Sequence, residues 1–429
     1  MGKYSFFLLW MLILIYSSVF GQTYISISGK ITGGESHSPL AYATVSIMGK
    51  PIGVVSNDQG EFTFAFDPRY AKDTLIVSIL GYHSYHWVID ELPSTSNLKI
   101  HLEEKTTLLS EVLIEDKEVR ANEIVKKAID NIRLNYPQET YVMEGFYRHY
   151  KKEDEKYIGL LEAAVSIFDN GYPSSKRRAK SKEDIFINEI RKSKLTNYKA
   201  KIYTKLNLLD GLLSTNDVRH ITHALDLSKN NYELEKYEYI DDRLIYVIKT
   251  DPPWCNRIYI DTKNFAVIKI EMYAEWSATT QNQWHMEDSD SIMNRTPFIR
   301  KTLLFKAYQN RYFLEYLNYS WQIEGFKMGS NNILFTSDFF QELLINKITT
   351  EELKRPNAKY LMNADSILDL QKRPYNELFW QQYNIIKDSP LNDQITRDLE
   401  AEYSLEDQFR KNDIKFKDAD AKKSRKKRN

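Results

Sequence analysis

The chain has 429 residues, 42% of them hydrophobic, with 59 basic and 59 acidic side chains. That length allows roughly two or three domains with sizeable cores, and a formal net charge of zero excludes a global field favouring nucleic acid. The 29 Tyr and 20 Phe against 15 Gly and 12 Pro suit a chain rich in strands.

The N-terminus has the pattern of a secretory leader. Lys3 supplies the positive charge, residues 6–16 are an unbroken apolar run, and Val19-Phe20-Gly21 resembles a small-residue cleavage site before Gln22. The run falls short of the roughly 20 residues of a spanning helix, so residues 1–21 read as a cleaved signal peptide rather than an anchor. A lipid anchor would need Cys just after the cleavage site, and position 22 is Gln. The single cysteine, Cys255, cannot form an internal disulfide; its expected role is that of a small buried apolar residue rather than a nucleophile.

Residues 22–104 read as a small β-sandwich. Apolar and polar residues alternate over 43–48 and 61–66, and less strictly over 75–79. A period of two sends one set of side chains to a core and the other to solvent. Between these runs lie Gly49-Lys50-Pro51-Ile52-Gly53 and Asn57-Asp58-Gln59-Gly60, and Gly81-Tyr82 follows the third. Asn, Asp and Gly close turns because they tolerate left-handed backbone and bond to their own main chain.

These residues also carry a resemblance. Gly29-Lys30-Ile31, Pro39-Leu40-Ala41-Tyr42-Ala43-Thr44-Val45, Asn57-Asp58-Gln59-Gly60-Glu61-Phe62, Ile79-Leu80-Gly81-Tyr82 and Ile100-His101-Leu102 resemble, in order, the carboxypeptidase regulatory-like domain. That family is a transthyretin-like sandwich common in envelope proteins of Bacteroidota, including the front of TonB-dependent nutrient receptors. The resemblance implies an exported protein of the periplasm or the periplasmic face of the outer membrane, and it implies no peptidase activity.

Residues 105–120 read as a linker, with 108–114 as a last edge strand or part of that linker. The spacing of Ile124, Ala128 and Ile132, with Val125 and Ile129 beside them, predicts a helix over 121–135 that ends at Asn135-Tyr136-Pro137. Strands are expected over 141–150 and over 157–168, the latter a second strand or one with a bulge. Asn135-Tyr136-Pro137, Phe146-Tyr147-Arg148 and Leu161-Glu162-Ala163 resemble a family of Bacteroidota envelope proteins in which a regulatory-like domain precedes such elements. The basic stretch 174–182 reads as a solvated loop and 206–213 as a short helical or irregular insertion. Hairpins are expected at 232–240 with 244–249, at 257–260 with 266–273, and at 303–308 with 312–322, then one more strand at 341–348. Consecutive hairpins build an antiparallel meander. Tyr259 to Thr262 followed by Val267-Ile268-Lys269-Ile270 resembles the strands of periplasmic lipoprotein-carrier half-barrels, whose curved sheet wraps a helix and can hold an apolar ligand.

After Pro356 the pattern turns helical. Leu378, Phe379, Tyr383 and Ile386 fall at helical spacing over 375–386, Ser389-Pro390 breaks the run, 395–403 reads as a further helix, and Ser404-Leu405-Glu406-Asp407 as a capping box. The basic tail is charged and poor in apolar residues, so it is expected to be disordered, with anionic lipid as a candidate contact.

A search for chemistry is mostly negative. His101 and Glu104 have zinc-peptidase spacing and His220 or His223 could supply a third ligand, but residues three apart on a strand point to opposite faces and cannot share a metal. His220 and His223 read as an exposed loop pair, and His83 and His86 as facing apart. No nucleophile elbow, dinucleotide fingerprint or P-loop is present. The acidic run Glu287-Asp288-Ser289-Asp290 has no geometry in sequence, and Tyr246, Tyr259 and Trp276 at strand spacing read as packing before they read as a binding face.

The expected architecture is mostly β with α: a sandwich over 22–104, a larger antiparallel curved-sheet α+β domain over 121–355, a helical segment over 356–412, and a basic tail over 413–429. No catalytic, cofactor-binding or metal residues are assigned. The expected role is non-enzymatic, binding or scaffolding, toward an envelope protein partner or an apolar or glycan ligand. The alternative is a hydrolase with an unrecognised site in the second domain.

Overall fold

The computed structural model describes residues 24–105, 117–172, 183–193, 208–221, 223–252, 254–276, 284–286, 289–330, 332–362, 368, 373–387, 390–400 and 403–410. The expected leader, the 108–114 stretch, the basic 174–182 loop and the tail lie outside them.

The first unit comprises β1 (Ile25–Gly33), β2 (Ser38–Pro39), β3 (Thr44–Ile47), β4 (Gly53–Val55), β5 (Glu61–Phe66), β6 (Thr74–Ser78), β7 (Tyr85–Val88) and β8 (Leu98–Leu102). In one sheet β1 pairs antiparallel with β2 and β5 and parallel with β8; the other runs β4-β3-β6-β7. The alternation predicted for 61–66 is the reason they pack: Phe62, Phe64 and Phe66 are buried on one side of β5 and meet Val45, Ile47, Leu75 and Val77 of the facing sheet. Asn57 closes the turn before β5, its Oδ1 accepting from the backbone of Gln59 at 3.0 Å and Glu61 at 2.8 Å.

Helix α1 (Lys117–Asp130) buries Ala121, Ile124, Val125 and Ala128, and the single turn α2 (Ile132–Asn135) follows it. Tyr136 leaves the helical conformation and its hydroxyl donates to the carbonyl of Val267 at 2.6 Å, so the Asn-Tyr-Pro stop also pins the helix to a sheet.

That sheet is built from β9 (Tyr141–Glu153), β10 (Lys156–Asp169), β11 (Asp184–Lys192), β12 (Tyr232–Ile240), β13 (Arg243–Thr250), β14 (Trp254–Asp261), β15 (Val267–Glu275), β16 (Trp284–Met286), β17 (Ser289–Arg295), β18 (Phe298–Tyr308), β19 (Arg311–Lys327) and β20 (Ile333–Thr349). Between β11 and β12 lie α3 (Leu208–Leu213) and α4 (Asp217–His220). The order is β11-β10-β9-β20-β19-β18-β15-β14-β13-β12, antiparallel throughout. The expected hairpins are present, but the last strand begins at Ile333 rather than near 341 and returns to pair with β9. The meander is thus joined edge to edge with β9–β11, and strand β11 was not anticipated.

Around β9 both faces of the sheet are covered. Along β9, Tyr141, Met143 and Tyr147 join the cluster under α1, α3 and α4, while Phe146 joins the sandwich core. After β20 the chain crosses the sandwich side through α5 (Glu377–Gln382) and then forms α6 (Pro390–Leu399). The helix expected over 375–386 is only this short: Tyr383 is already extended, Leu378 is exposed, and Trp380 and Ile386 supply the buried contacts. Ser404 does cap, its Oγ accepting from the backbone of Asp407 at 3.0 Å. Among the described residues no helix is long and apolar enough to cross a membrane.

Candidate binding cleft between sandwich, sheet and C-terminal segment

Where the sandwich meets the sheet, a buried ionic cluster comes first. Arg148 stands between Glu162 on β10 and Glu342 on β20, its Nε donating to Glu162 at 2.7 Å and its Nη1 lying 3.4 Å from Glu342. Arg191 of β11 reaches the second oxygen of Glu162 at 2.5 Å and lays its guanidinium 4.4 Å over the Trp380 ring. Tyr316 donates to Glu342 at 2.9 Å. Burial raises the Glu162 carboxyl, but the Arg191 and Arg148 guanidinium groups outweigh it and hold it below the usual range. Burial wins for Glu342, whose carboxyl is raised because Arg148 and the Tyr316 hydroxyl offset it only in part. Phe146-Tyr147-Arg148 and Leu161-Glu162-Ala163 therefore meet as cross-strand neighbours, with Arg148 and Glu162 both almost fully buried. These groups tie the layers together.

Beside this cluster lies a cleft of about 670 Å³. Its walls are Phe66, Asp67 and Tyr70 of the sandwich, Glu144, Asn346 and Lys347 of the sheet, and Gln382, Tyr383 and Asn384 after α5. The wall is continuous because of amide hydrogen bonds. Asn384 accepts from the backbone N–H of Ala65 at 2.7 Å and donates to its carbonyl at 2.8 Å, mimicking one step of a strand pair. Asn346 donates to the carbonyl of Asn384 at 2.8 Å. It can do so because the β20–β9 register shifts between Ile345 and Lys347, leaving Asn346 as the bulged residue. Its Oδ1 is buried with no hydrogen-bond partner among the described residues. Glu144 and Lys347 form an ion pair of 2.9 Å at the rim.

A smaller cavity of about 200 Å³ opens nearer the middle of the sheet, between Tyr42, Thr44, Ile79 and Leu80 of the sandwich and Lys269, Glu271, Leu304 and Glu315 of the sheet.

The residues singled out from sequence do not converge on either cavity. His101 projects outward from β8 and stacks on His37 at 4.3 Å, and His83 and His86 are exposed. His220 is not in an exposed loop: it ends α4 and is partly buried, because the Lys301–Asp217 ion pair draws that helix onto the sheet. The side chains of His223 and of the 287–290 acidic run lie outside the described residues. Among the described residues no group of His, Cys, Asp or Glu could hold a metal ion. Cys255 is exposed, not buried: Asn256 takes the inward position, where its Nδ2 donates to Thr250 at 2.9 Å, and the period of two turns Cys255 outward. Tyr259 is buried and bonds Glu271 at 2.8 Å, Tyr246 packs on Tyr237, and Trp276 sits edge-on to Trp254, so the three aromatics serve packing.

Comparison with known proteins bears on the first unit. Residues 27–114 match the family described as CarboxypepD_reg-like domain, and the described part of that match, residues 27–105, is the two-sheet unit above. No curated protein matches the chain. Among solved structures, a DUF1329 family protein from Desulfovibrio piger is 10% identical, covering 57% of this chain and 97% of its own, with a TM-score of 0.24. A putative outer membrane lipoprotein-sorting protein domain from Vibrio parahaemolyticus is 10% identical, covering 56% and 95%, also at 0.24. A LolA superfamily protein from Nitrosomonas europaea is 13% identical, covering 55% and 94%, at 0.19. Likenesses at such scores carry no weight for function.

Proposed function

We propose that this is an exported, non-enzymatic cell-envelope protein whose binding site is the cleft between the regulatory-like sandwich, the large sheet and the C-terminal segment. The observation that carries this reading is the make-up of the cleft wall. It is lined by the Tyr70 and Tyr383 rings, the Asn346, Gln382 and Asn384 amides, and the paired charges Glu144–Lys347 and Asp67–Arg69. Rings and amides with the charges held in pairs suit a polar, uncharged ligand of the glycan class better than a purely apolar one. Export to the periplasm or the periplasmic face of the outer membrane rests on the leader pattern of residues 1–21 and on the regulatory-like domain.

The test has two arms. The full chain, expressed with its leader in a diderm bacterium, should be recovered from the envelope with a new N-terminus near Gln22. Titration with soluble envelope oligosaccharides should give saturable binding that Tyr70→Ala together with Gln382→Ala weakens at least tenfold. Cytoplasmic recovery would overturn the address. Binding that ignores both substitutions would overturn the site.

A further inference from the structure

The smaller cavity carries a separate proposal. Its key residue is Glu315. In β19 the register passes from Leu304↔Tyr316 to Phe305↔Leu314, so Glu315 is the bulged residue with no partner across the ladder. A bulge re-aims one side chain, and here it turns a carboxylate toward the sandwich, where Thr44 donates to Oε2 at 3.0 Å. Glu315 is only 7% exposed. A carboxylate has about four acceptor sites, and no described group donates to Oε1.

The cations nearby are committed elsewhere. Lys269 pairs with Glu271 at 2.6 Å, and Arg243 donates to the Tyr312 hydroxyl at 2.6 Å and lies 3.5 Å from Asp261. Lys306 acts on Glu315 through space, but its Nζ donates to the carbonyl of Ile52 at 3.1 Å and no direct ion pair joins the two. Burial raises the Glu315 carboxyl, and Lys306 and Thr44 offset this only in part. The opposite wall is apolar, with Ile79, Leu80 and Leu304. Tyr42 completes the site with a left-handed φ of 60°, a backbone region that bulky residues seldom adopt. It is held there by Ser56, whose hydroxyl bonds Leu40 and Ala43 and whose carbonyl takes the Tyr42 N–H. The strained backbone stacks its ring on Tyr316 at 5.1 Å.

We propose that this cavity binds a small primary amine, its ammonium on Glu315 and its short alkyl chain against Ile79, Leu80 and Leu304. An ammonium brings three donors and a full charge to a carboxylate that has one hydrogen-bond donor, Thr44, and no direct ion pair. A cavity of about 150 Å³ already admits a benzene-sized molecule, so the space suffices for a chain of a few carbons. Such a ligand touches sandwich and sheet at once and would hold them together. The proposal concerns a different cavity from the cleft above and does not rest on the reading given to it.

The probe is n-propylamine, titrated calorimetrically into the full chain, with 1-propanol as the uncharged isostere. Saturable binding of the amine, at least tenfold tighter than the alcohol and at least tenfold weaker in Glu315→Gln, is the expected result. Glu315→Gln keeps an oxygen for Thr44 and removes a buried charge, so it should fold. If it did not, the amine-to-alcohol ratio on the unaltered protein still decides. No saturable amine binding, equal binding of the alcohol, or equal binding to Glu315→Gln would each overturn the proposal.

Discussion

Arg148 and Glu162 stand opposite each other in the β9–β10 register, and their side chains meet at 2.7 Å in a layer closed on one side by the sheet and on the other by the sandwich and the C-terminal segment. Arg148 also donates to the carbonyl of Ile386 at 3.3 Å. One guanidinium thus ties two strands of the sheet to the segment that lines the cleft.

Removing that guanidinium should be costly. Arg148→Ala would leave Glu162 and Glu342 facing each other with Arg191 the remaining cation on Glu162. Losing one partner of a buried ionic cluster typically costs about 3–5 kcal/mol. Denaturant unfolding should show a loss in that range, partly recovered when Glu342→Gln is added. A loss under about 1 kcal/mol would mean that the cluster is not charged in the folded protein.

Two buried titrations should shape stability in opposite directions. Burial, only partly offset by the charge of Arg373, raises the Glu189 carboxyl from 4.5 to about 7. The fold then holds a proton that the unfolded chain has released, so stability is full below pH 4.5 and declines as pH rises through 7. Glu189→Gln should therefore gain on the order of 1 kcal/mol at pH 8, after allowance for solvent screening at a partly exposed position, and nothing at pH 4. His149 is lowered to about 3 by burial and then by the charge of Lys151, and its buried Nε2 has no hydrogen-bond partner among the described residues. The unfolded chain takes up that proton first, so stability falls as pH drops from 6.5 toward 3. His149→Gln should recover on the order of 2 kcal/mol at pH 4 and leave pH 8 unchanged. Melting curves across pH for both variants would show parallel shifts if neither group titrates as stated.

The contrast between what alternation reveals and what it hides runs through the whole chain. Strand β5 was legible because one face is buried and the other wet, giving Phe62, Phe64 and Phe66 their period. Strand β11 was not, because Ile185, Phe186 and Ile187 are all buried in a row and the ladder slips just after them, at Asn188. The β20–β9 pairing joins residues nearly two hundred positions apart, such as Leu344 and Phe146, and no local pattern encodes it. The spacing of Leu378, Phe379, Tyr383 and Ile386 imitates a helix, yet Tyr383 adopts ψ of 136° and bonds the Gly145 carbonyl instead. Neither cavity was visible, since each is made by elements that lie far apart in the sequence. A trace of one was present: Tyr312-Phe313-Leu314 directly before Glu315 breaks alternation and marks the bulge that turns the carboxylate.

Gly60 tests the sandwich itself. It has φ of 73°, and a Cβ there would lie 2.2 Å from the Ile31 carbonyl oxygen, while its own carbonyl accepts from the Ile31 N–H at 2.8 Å. Left-handed backbone costs a non-glycine residue about 1–2 kcal/mol before any clash. Gly60→Ala should cost more than about 2 kcal/mol and speed hydrogen exchange at the Ile31 amide. Asn57→Ala, which removes two side-chain acceptances and the longer donation to the Lys387 carbonyl but no close approach, should cost about 1–2 kcal/mol. Equal and small losses for both would show that the turn adopts some other geometry.

Asn384 joins the C-terminal segment to the sandwich through both polar atoms of its amide, on the N–H and the carbonyl of Ala65. The next attachments along the chain are the Arg148 contact to Ile386, the Asn57 bond to the Lys387 carbonyl at 3.3 Å, and the Lys387–Glu61 ion pair at 3.2 Å. The ion pair is half-exposed and adds little. The segment should therefore open as a unit when the Asn384 amide is removed, well before the sheet unfolds. Loss of two partly buried hydrogen bonds is worth about 1–2 kcal/mol, which is about a tenfold rise in the open population. Asn384→Ala should thus raise trypsin cleavage after Lys387 and hydrogen exchange at Ala65 about tenfold each, while exchange in β9 and β20 stays slow. If Ala65 exchange were unchanged, the sandwich would be held by its direct contacts with β20, such as the Ile348 N–H on the Pro51 carbonyl at 2.9 Å, and the segment would be a passenger rather than a wall.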